Sequence, residues 1–259
     1  MGPRAILLSG ILVFTAGAAP TSAVSLANAS AEEPDAAVPA VSFTLDFPGS
    51  RPSHYSIVVD SSGKATYSSG PSSAKPANAA TAVKHGQESD SDSDSPPDSD
   101  APADTEEPFH YDFTVSDATR ARIFDLAERA RYFESNLNYN KHNLANTGDK
   151  TLAYHDAGRN SHSTFNYTTN QPAQQLTALF QDISSTMEYG HRLTYQYQYQ
   201  KLALDQEMKS LENASRQSNL EELQAIAPIL KRIIADSSVI NVTRARAERL
   251  LAKVGISPR

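Results

Sequence analysis

The side chains of residues 41–47 alternate apolar and polar without a break, which places Val41, Phe43, Leu45 and Phe47 on one face of an extended strand. Pro48 and Gly49 end the pattern. Residues 55–60 and 64–68 read as two further strands, joined by Ser61, Ser62 and Gly63, a turn whose glycine can take a positive φ. The same alternation returns at residues 109–115. A second hairpin is predicted from residues 150–155 and 161–168, with the turn at residues 156–160.

Helical spacing takes over between and after these strands. Ser116 offers an N-cap and Asp117 an acid in the first turn, and Ile123, Phe124, Ala127 and Ala130 follow on one side, with Asp125 and Arg129 spaced to pair. Asn170 and Pro172 open a second helix whose stripe is Leu176, Leu179, Phe180, Ile183 and Met187. Residues 193–202 fit two periods. Tyr195, Tyr197 and Tyr199 alternate like a strand, while Leu193, Tyr197, Leu204, Met208 and Leu211 follow a helix; the longer pattern predicts a helix, with Gly190 as a point of kinking or interruption. Asn219 to Glu222 resembles a capping box ahead of Leu220, Leu223, Ala227, Leu230 and Ile234, in a helix that Pro228 should kink or divide. A last helix should begin near Ser237, with Ile240, Ala247, Leu250, Leu251 and Val254 inside and Arg244, Arg246, Arg249 and Lys253 outside or complementing its C-terminal dipole.

The order hairpin, strand, helix, hairpin, helix predicts the α+β class: an antiparallel sheet of about five or six strands covered by helices over residues 41–190. Residues 191–259 add a C-terminal helical extension or bundle.

Charge changes this picture in one place. Residues 70–108 hold two cations, Lys75 and Lys84, against nine acids, which equals the net charge of −7 of the whole 259-residue chain. The rest is formally neutral, so it has no basic stripe to condense on phosphate, and nucleic-acid binding is not expected. The Ser/Asp/Pro-rich run cannot bury enough apolar surface to offset ordering, so it reads as a disordered insertion looped out of one domain rather than a border between two.

The N-terminus reads as an export signal over residues 1–29, with Arg4 at the positive end, an apolar stretch over residues 5–19 and small residues permitting cleavage after Ala23 or Ala29. At about 15 residues that stretch is shorter than the roughly 20 needed to span a bilayer, and no membrane segment is expected after cleavage. A secreted or periplasmic location follows. The absence of cysteine excludes disulfides, zinc-thiolate sites and a lipid-modified cysteine. The sequons at Asn28, Asn166, Asn213 and Asn241 would matter only in a eukaryotic secretory pathway.

No motif declares a chemistry. The seven histidines form no H-E-x-x-H, although His155 and His162 flank one turn; no G-x-S-x-G and no glycine-rich phosphate loop occurs, so no cofactor, metal or catalytic residue is predicted. The most function-like stretch is residues 138–150, where amides gather around Lys141, His142 and Asn143, the weak candidates for ligand binding. The same asparagines and glycine equally suit turns that satisfy their own backbone.

The run Lys141-His-Asn-Leu-Ala-Asn-Thr-Gly-Asp-Lys-Thr-Leu-Ala-Tyr154, followed by Phe165-Asn-Tyr167, resembles an uncharacterised family of exported bacterial proteins, with the similarity extending from about Val41 to the C-terminus apart from the acidic insertion. The resemblance implies an envelope or extracellular setting and transfers no catalytic residue. The leading expectation is a noncatalytic binding or interaction module with a protein partner in the envelope. The alternatives are an assembly protein that docks its partner through the C-terminal helices, and a hydrolase with an unrecognised site.

Overall fold

The computed structural model describes residues 38–72, 107–139, 144–217 and 220–257. The expected leader, residues 1–29, and most of the acidic insertion lie outside them.

Six strands, β1 (Ala40–Asp46), β2 (His54–Asp60), β3 (Lys64–Gly70), β4 (Phe109–Thr114), β5 (Asp149–His155) and β6 (Asn160–Phe165), form one antiparallel sheet in the order β4-β3-β2-β1-β5-β6. Both expected hairpins are present, with Gly63 at φ 89° in the first turn. The chain leaves the sheet after β3 and returns as β4 beside it, with Tyr67 opposite Tyr111. The alternation in the sequence fixes which face is covered. Val41, Phe43, Leu45, Tyr55, Ile57, Val59, Tyr67 and Leu152 are buried on one side, while Thr44, between Ser56 and Thr151, typifies the polar side. Phe47 falls just beyond β1 and is half-buried.

β6 stops at Phe165 rather than running to residue 168. The reason is local: Asn166 turns to the preceding connection, where its Oδ1 accepts from the Thr147 amide (2.8 Å) and its Nδ2 donates to Ala145 O (3.0 Å). Lys150 occupies an inward position at this end of the sheet and is buried. Its Nζ donates to Thr147 O, Thr147 Oγ1, Gly148 O and Asn166 O, and burial pushes its pKa down. The ammonium thus ties two connections together where an apolar residue would leave their carbonyls without partners.

Helix α1 (Asp117–Arg129) starts as expected, with Ser116 Oγ accepting from the Thr119 amide, and it buries Ile123, Leu126 and Ala127. A left-handed turn follows at Arg131, Tyr132 and Phe133 (φ 55°, 51° and 63°), anchored by the fully buried Phe133 ring. Helix α2 (Gln171–Tyr199) has 29 residues and is capped by Asn170, whose side chain accepts from Ala173 N. Its expected stripe is buried against the sheet, and the Phe180 ring stacks on Phe43 at 5.5 Å.

Gly190 does not interrupt α2, which runs through it. Its role is close approach: a Cβ there would sit 2.5 Å from Ile226 Cγ2. The predicted helical pattern through Leu211 breaks instead at residues 200–203, and α3 (Leu204–Arg216) begins anew. The capping-box reading also fails. Asn219 lies outside the described residues, Glu222 has a left-handed backbone (φ 59°), and α4 (Ala227–Ala235) opens with Pro228 in its first turn, where a missing N–H costs nothing. The last helix, α5 (Asn241–Lys253), starts later than Ser237. Ile240 is 56% exposed, and Arg246, predicted outside, packs toward α3 to pair with Asp205 and Glu212.

Leu193 of α2, Leu204, Met208 and Leu211 of α3, Leu230 and Ile233 of α4 and Leu250 and Leu251 of α5 form a second core. α2 therefore serves both cores, with its N-terminal two thirds on the sheet and its C-terminal third in the bundle. No helix among the described residues is long and apolar enough to cross a membrane.

Candidate functional site

The helical period divides the second half of α2 into two sides. Gln181, Ser185, Glu188 and Arg192 share one side, and Met187, Gly190 and Thr194 the other. Each side borders a cleft.

The first cleft is polar, about 400 Å³, and is lined by Arg51, Tyr55, Gln181, Ser184, Glu188 and Arg192 among others. Two of its lining residues, Ser184 and Glu188, belong to a hydroxyl cluster. Tyr67 Oη donates to Glu188 Oε1 (2.6 Å), Ser69 Oγ donates to the same oxygen (2.9 Å), and Ser184 Oγ lies 3.3 Å from Tyr67 Oη. Strand alternation places Tyr55, Tyr67 and Ser69 on the covered face, and α2 delivers Ser184 and Glu188 one turn apart above them. Burial pushes the Tyr67 phenol well above the ordinary tyrosine value, reinforced by the negative charge of Glu188; Tyr55 is raised by burial and partly offset by its hydrogen bond with Ser184. Both phenols stay neutral through the physiological range. Tyr67 serves as a hydrogen-bond donor to Glu188 rather than as a base.

The second cleft is apolar, about 240 Å³, and lies between β4, α2 and α4. Phe109 and Tyr111 form its sheet wall, Met187 and Gly190 its α2 wall, and Ile226 and Ile229 the wall contributed by the C-terminal helices. Phe109 stacks on His191 at 4.0 Å, and Tyr111 Oη donates to Ala225 O (2.8 Å), so the walls are fixed to one another. Arg232 is the single charged residue of the lining. Its guanidinium lies 4.9 Å over the Tyr197 ring, and among the described residues it makes no ion pair.

This cleft adjoins an open sheet edge. Among the described residues no strand pairs with β4 on the side away from β3. Val115 N donates to Gly63 O (2.9 Å), which sets the parity of the ladder: Phe113, Tyr111 and Phe109 bond toward β3, and the backbone groups of His110, Asp112 and Thr114 point outward. Open edge amides and carbonyls are a template for another extended chain.

A third junction ties the bundle to the sheet. Glu222, 4% exposed, accepts from Ser116 N (2.8 Å) and Ser116 Oγ (2.9 Å), so a residue 106 positions away caps α1. Nearby, Thr186 Oγ1 donates to Glu221 O (2.6 Å).

The residues singled out from sequence fare differently. Lys141, His142 and Asn143 lie outside the described residues. The described part of that connection uses its asparagines on backbone: Asn136 Oδ1 accepts from Asn138 N, and Asn146 Oδ1 from Gly148 N. His155 and His162 stand on the polar face two register positions apart, opposite Asn160 and Ala153 respectively. His54 Nδ1 meets Asp46 Oδ1 at 2.7 Å on the same face. Among the described residues no group of three or more His, Asp or Glu side chains is placed to hold a metal ion.

Sequence reasoning missed Glu188 and Arg232. Neither is marked in the sequence: a carboxylate beside an apolar stripe position is the ordinary pattern of an amphipathic helix, and surface arginines are common on short helices.

No family model, curated protein or solved structure matches the chain.

Proposed function

We propose that this is an exported, noncatalytic interaction module of the bacterial envelope, secreted or periplasmic, that binds an extended segment of a partner protein along β4. The carrying observation is the coincidence of the open β4 edge with the apolar cleft beneath Phe109 and Tyr111. A peptide added as a seventh strand would bond to His110, Asp112 and Thr114, and every second side chain would face the helix layer and enter the cleft. Arg232 favours a carboxylate on the peptide, either acidic side chain or C-terminus. The N-terminal charge and apolar pattern supports export.

The test is selection from a displayed random peptide library on the full chain, repeated on an Asp112→Pro variant. The Asp112 amide points away from β3, so proline there blocks strand addition while sparing the β3 ladder. Recovered peptides should share alternating apolar residues with one acidic group, and should lose at least about tenfold in affinity on Asp112→Pro. Equal binding to both proteins, or no enrichment on either, contradicts the proposal.

A further inference from the structure

We infer that the end of the helical bundle where α2 stops and α3 and α5 begin docks on the surface of an anionic lipid bilayer, with Leu202 as its leading side chain. This inference does not depend on strand addition at β4.

Among the described residues nine large hydrophobic side chains are exposed, and five of them, Tyr195, Tyr199, Leu202, Ile240 and Val242, belong to this end. Hydrogen bonds between two connections bring them together. Lys201 Nζ donates to Asp236 Oδ2 and Ser238 Oγ (both 2.7 Å), and Thr243 Oγ1 donates to Asp205 Oδ1 (3.0 Å). Leu202 falls between Lys201 and Asp205 on one connection, and Ile240 and Val242 fall between Ser238 and Thr243 on the other. The turn that carries Leu202 is closed by Ala203 N on Gln200 O (2.8 Å), so the side chain is held out on a fixed turn. Tyr195 and Tyr199, on the last turns of α2, pack their rings at 5.1 Å.

Shape selects the partner. Leu202 is 98% exposed, so no neighbour flanks it and it projects from the surface. A rigid protein would need a hollow of matching shape to cover it, whereas a fluid bilayer closes around a projecting apolar group. Exposed tyrosines suit the headgroup layer, where the ring is buried and the hydroxyl stays wet. Charge selects the lipid. The carboxylates of this end, Asp205, Glu207 and Asp236, are paired with Arg246, Arg192 and Lys201. Arg244 bonds to the neutral Asn241 side chain and makes no ion pair among the described residues. The N-cap of α5 is Ile240, which offers no side-chain acceptor, and the first turn of α5 holds no acid, so the positive end of that helix is left uncompensated here. Both features favour headgroups with a net negative charge.

The chain has no cysteine, so a single introduced one takes an environment-sensitive fluorophore at a chosen place. The full chain is labelled through Ser237→Cys, exposed in the same connection as Ile240, or through Glu128→Cys, exposed on α1. Each is titrated with vesicles of phosphatidylcholine alone and with about one third phosphatidylglycerol. The label at position 237 should shift to the blue and report at least about tenfold tighter binding to the mixed vesicles, while the label at position 128 should not move. Leu202→Glu should weaken that binding at least about tenfold, and Leu202→Phe should retain it; the full exposure of Leu202 keeps both changes out of the core. Asp112→Pro should leave the shift intact, which separates this surface from the β4 groove. Equal shifts at both labels, a shift unaltered by Leu202→Glu, a shift that grows with protein concentration without vesicles, as a second copy would give, or no shift at about 5 mM lipid overturns the inference.

Discussion

Tyr67 and Glu188 stand 121 positions apart in sequence, and the Tyr67 hydroxyl donates to the Glu188 carboxylate at 2.6 Å. That bond joins β3, the strand beside the edge strand β4, to the point on α2 where the helix passes from one core to the other. Tyr67→Phe removes the donor but leaves Ser69 on the same oxygen, so it should cost about 1–2 kcal/mol, read as a shift in the urea midpoint. A change below about 0.3 kcal/mol would mean that the bond contributes nothing net.

The same burial makes an alkaline prediction. Tyr55 and Tyr67 both have raised pKa values from desolvation. In the unfolded chain their phenols ionise near pH 10, while the native chain retains those protons. The native state then binds more protons, so stability is fully present below about pH 10 and falls as pH rises beyond it. In a tyrosine absorbance titration, two of the eleven tyrosines should ionise only together with loss of secondary structure. Ionisation of all eleven with an unchanged circular dichroism spectrum contradicts the burial.

Gly190→Ala sets helix propensity against packing. Alanine in mid-helix gains up to about 1 kcal/mol, but the new methyl meets Ile226 Cγ2 at 2.5 Å, and such overpacking costs about 1–3 kcal/mol. The variant should be destabilised. In an Ile226→Ala background the obstacle is gone, so the same change should become neutral or stabilising. Thermal denaturation of the four proteins gives the sign reversal directly.

The reach of Glu222 to Ser116 predicts coupling between bundle and sheet. Glu222→Ala and Ser116→Ala should each destabilise by about 1–3 kcal/mol, and the double variant should cost about 1 kcal/mol less than the two together. Simple additivity in a denaturant series would show that the two residues act separately.

Arg131 offers a gain. It is exposed with φ 55°, in the left-handed region that costs a side-chain-bearing residue about 1–2 kcal/mol. Glycine relieves that cost and loses part of it to unfolded-state entropy. Arg131→Gly should therefore stabilise by about 0.5 kcal/mol, visible as a higher Tm. A lower Tm would mean that the arginine side chain holds the turn.

The strands were legible because alternation has a period of two and one face is buried, so Val41, Phe43 and Leu45 announce both element and orientation. The α1 and α2 starts were legible because Ser116 and Asn170 sit directly before an apolar period. The region after Gly190 was harder. Gly190 looks like a breaker in sequence, yet its lack of a side chain is used for contact with Ile226, which lies 36 positions on. Glu222 looks like a local cap, yet it caps α1 through space. Local rules see spacing, and both roles depend on tertiary neighbours. The clefts were illegible for the same reason: Tyr67, Glu188 and Arg232 each carry an ordinary sequence context, and the chemistry arises only when α2 meets β3 on one side and β4 and α4 on the other.

The most direct test of strand addition is amide hydrogen exchange on the full chain, alone and with a library-selected peptide. In the free protein the amides of His110, Asp112 and Thr114 should exchange rapidly while those of Phe109, Tyr111 and Phe113 are protected. With peptide bound, the first three should become protected as well. Unchanged exchange at those three amides under saturating peptide, with new protection confined to the C-terminal helices, would contradict the account.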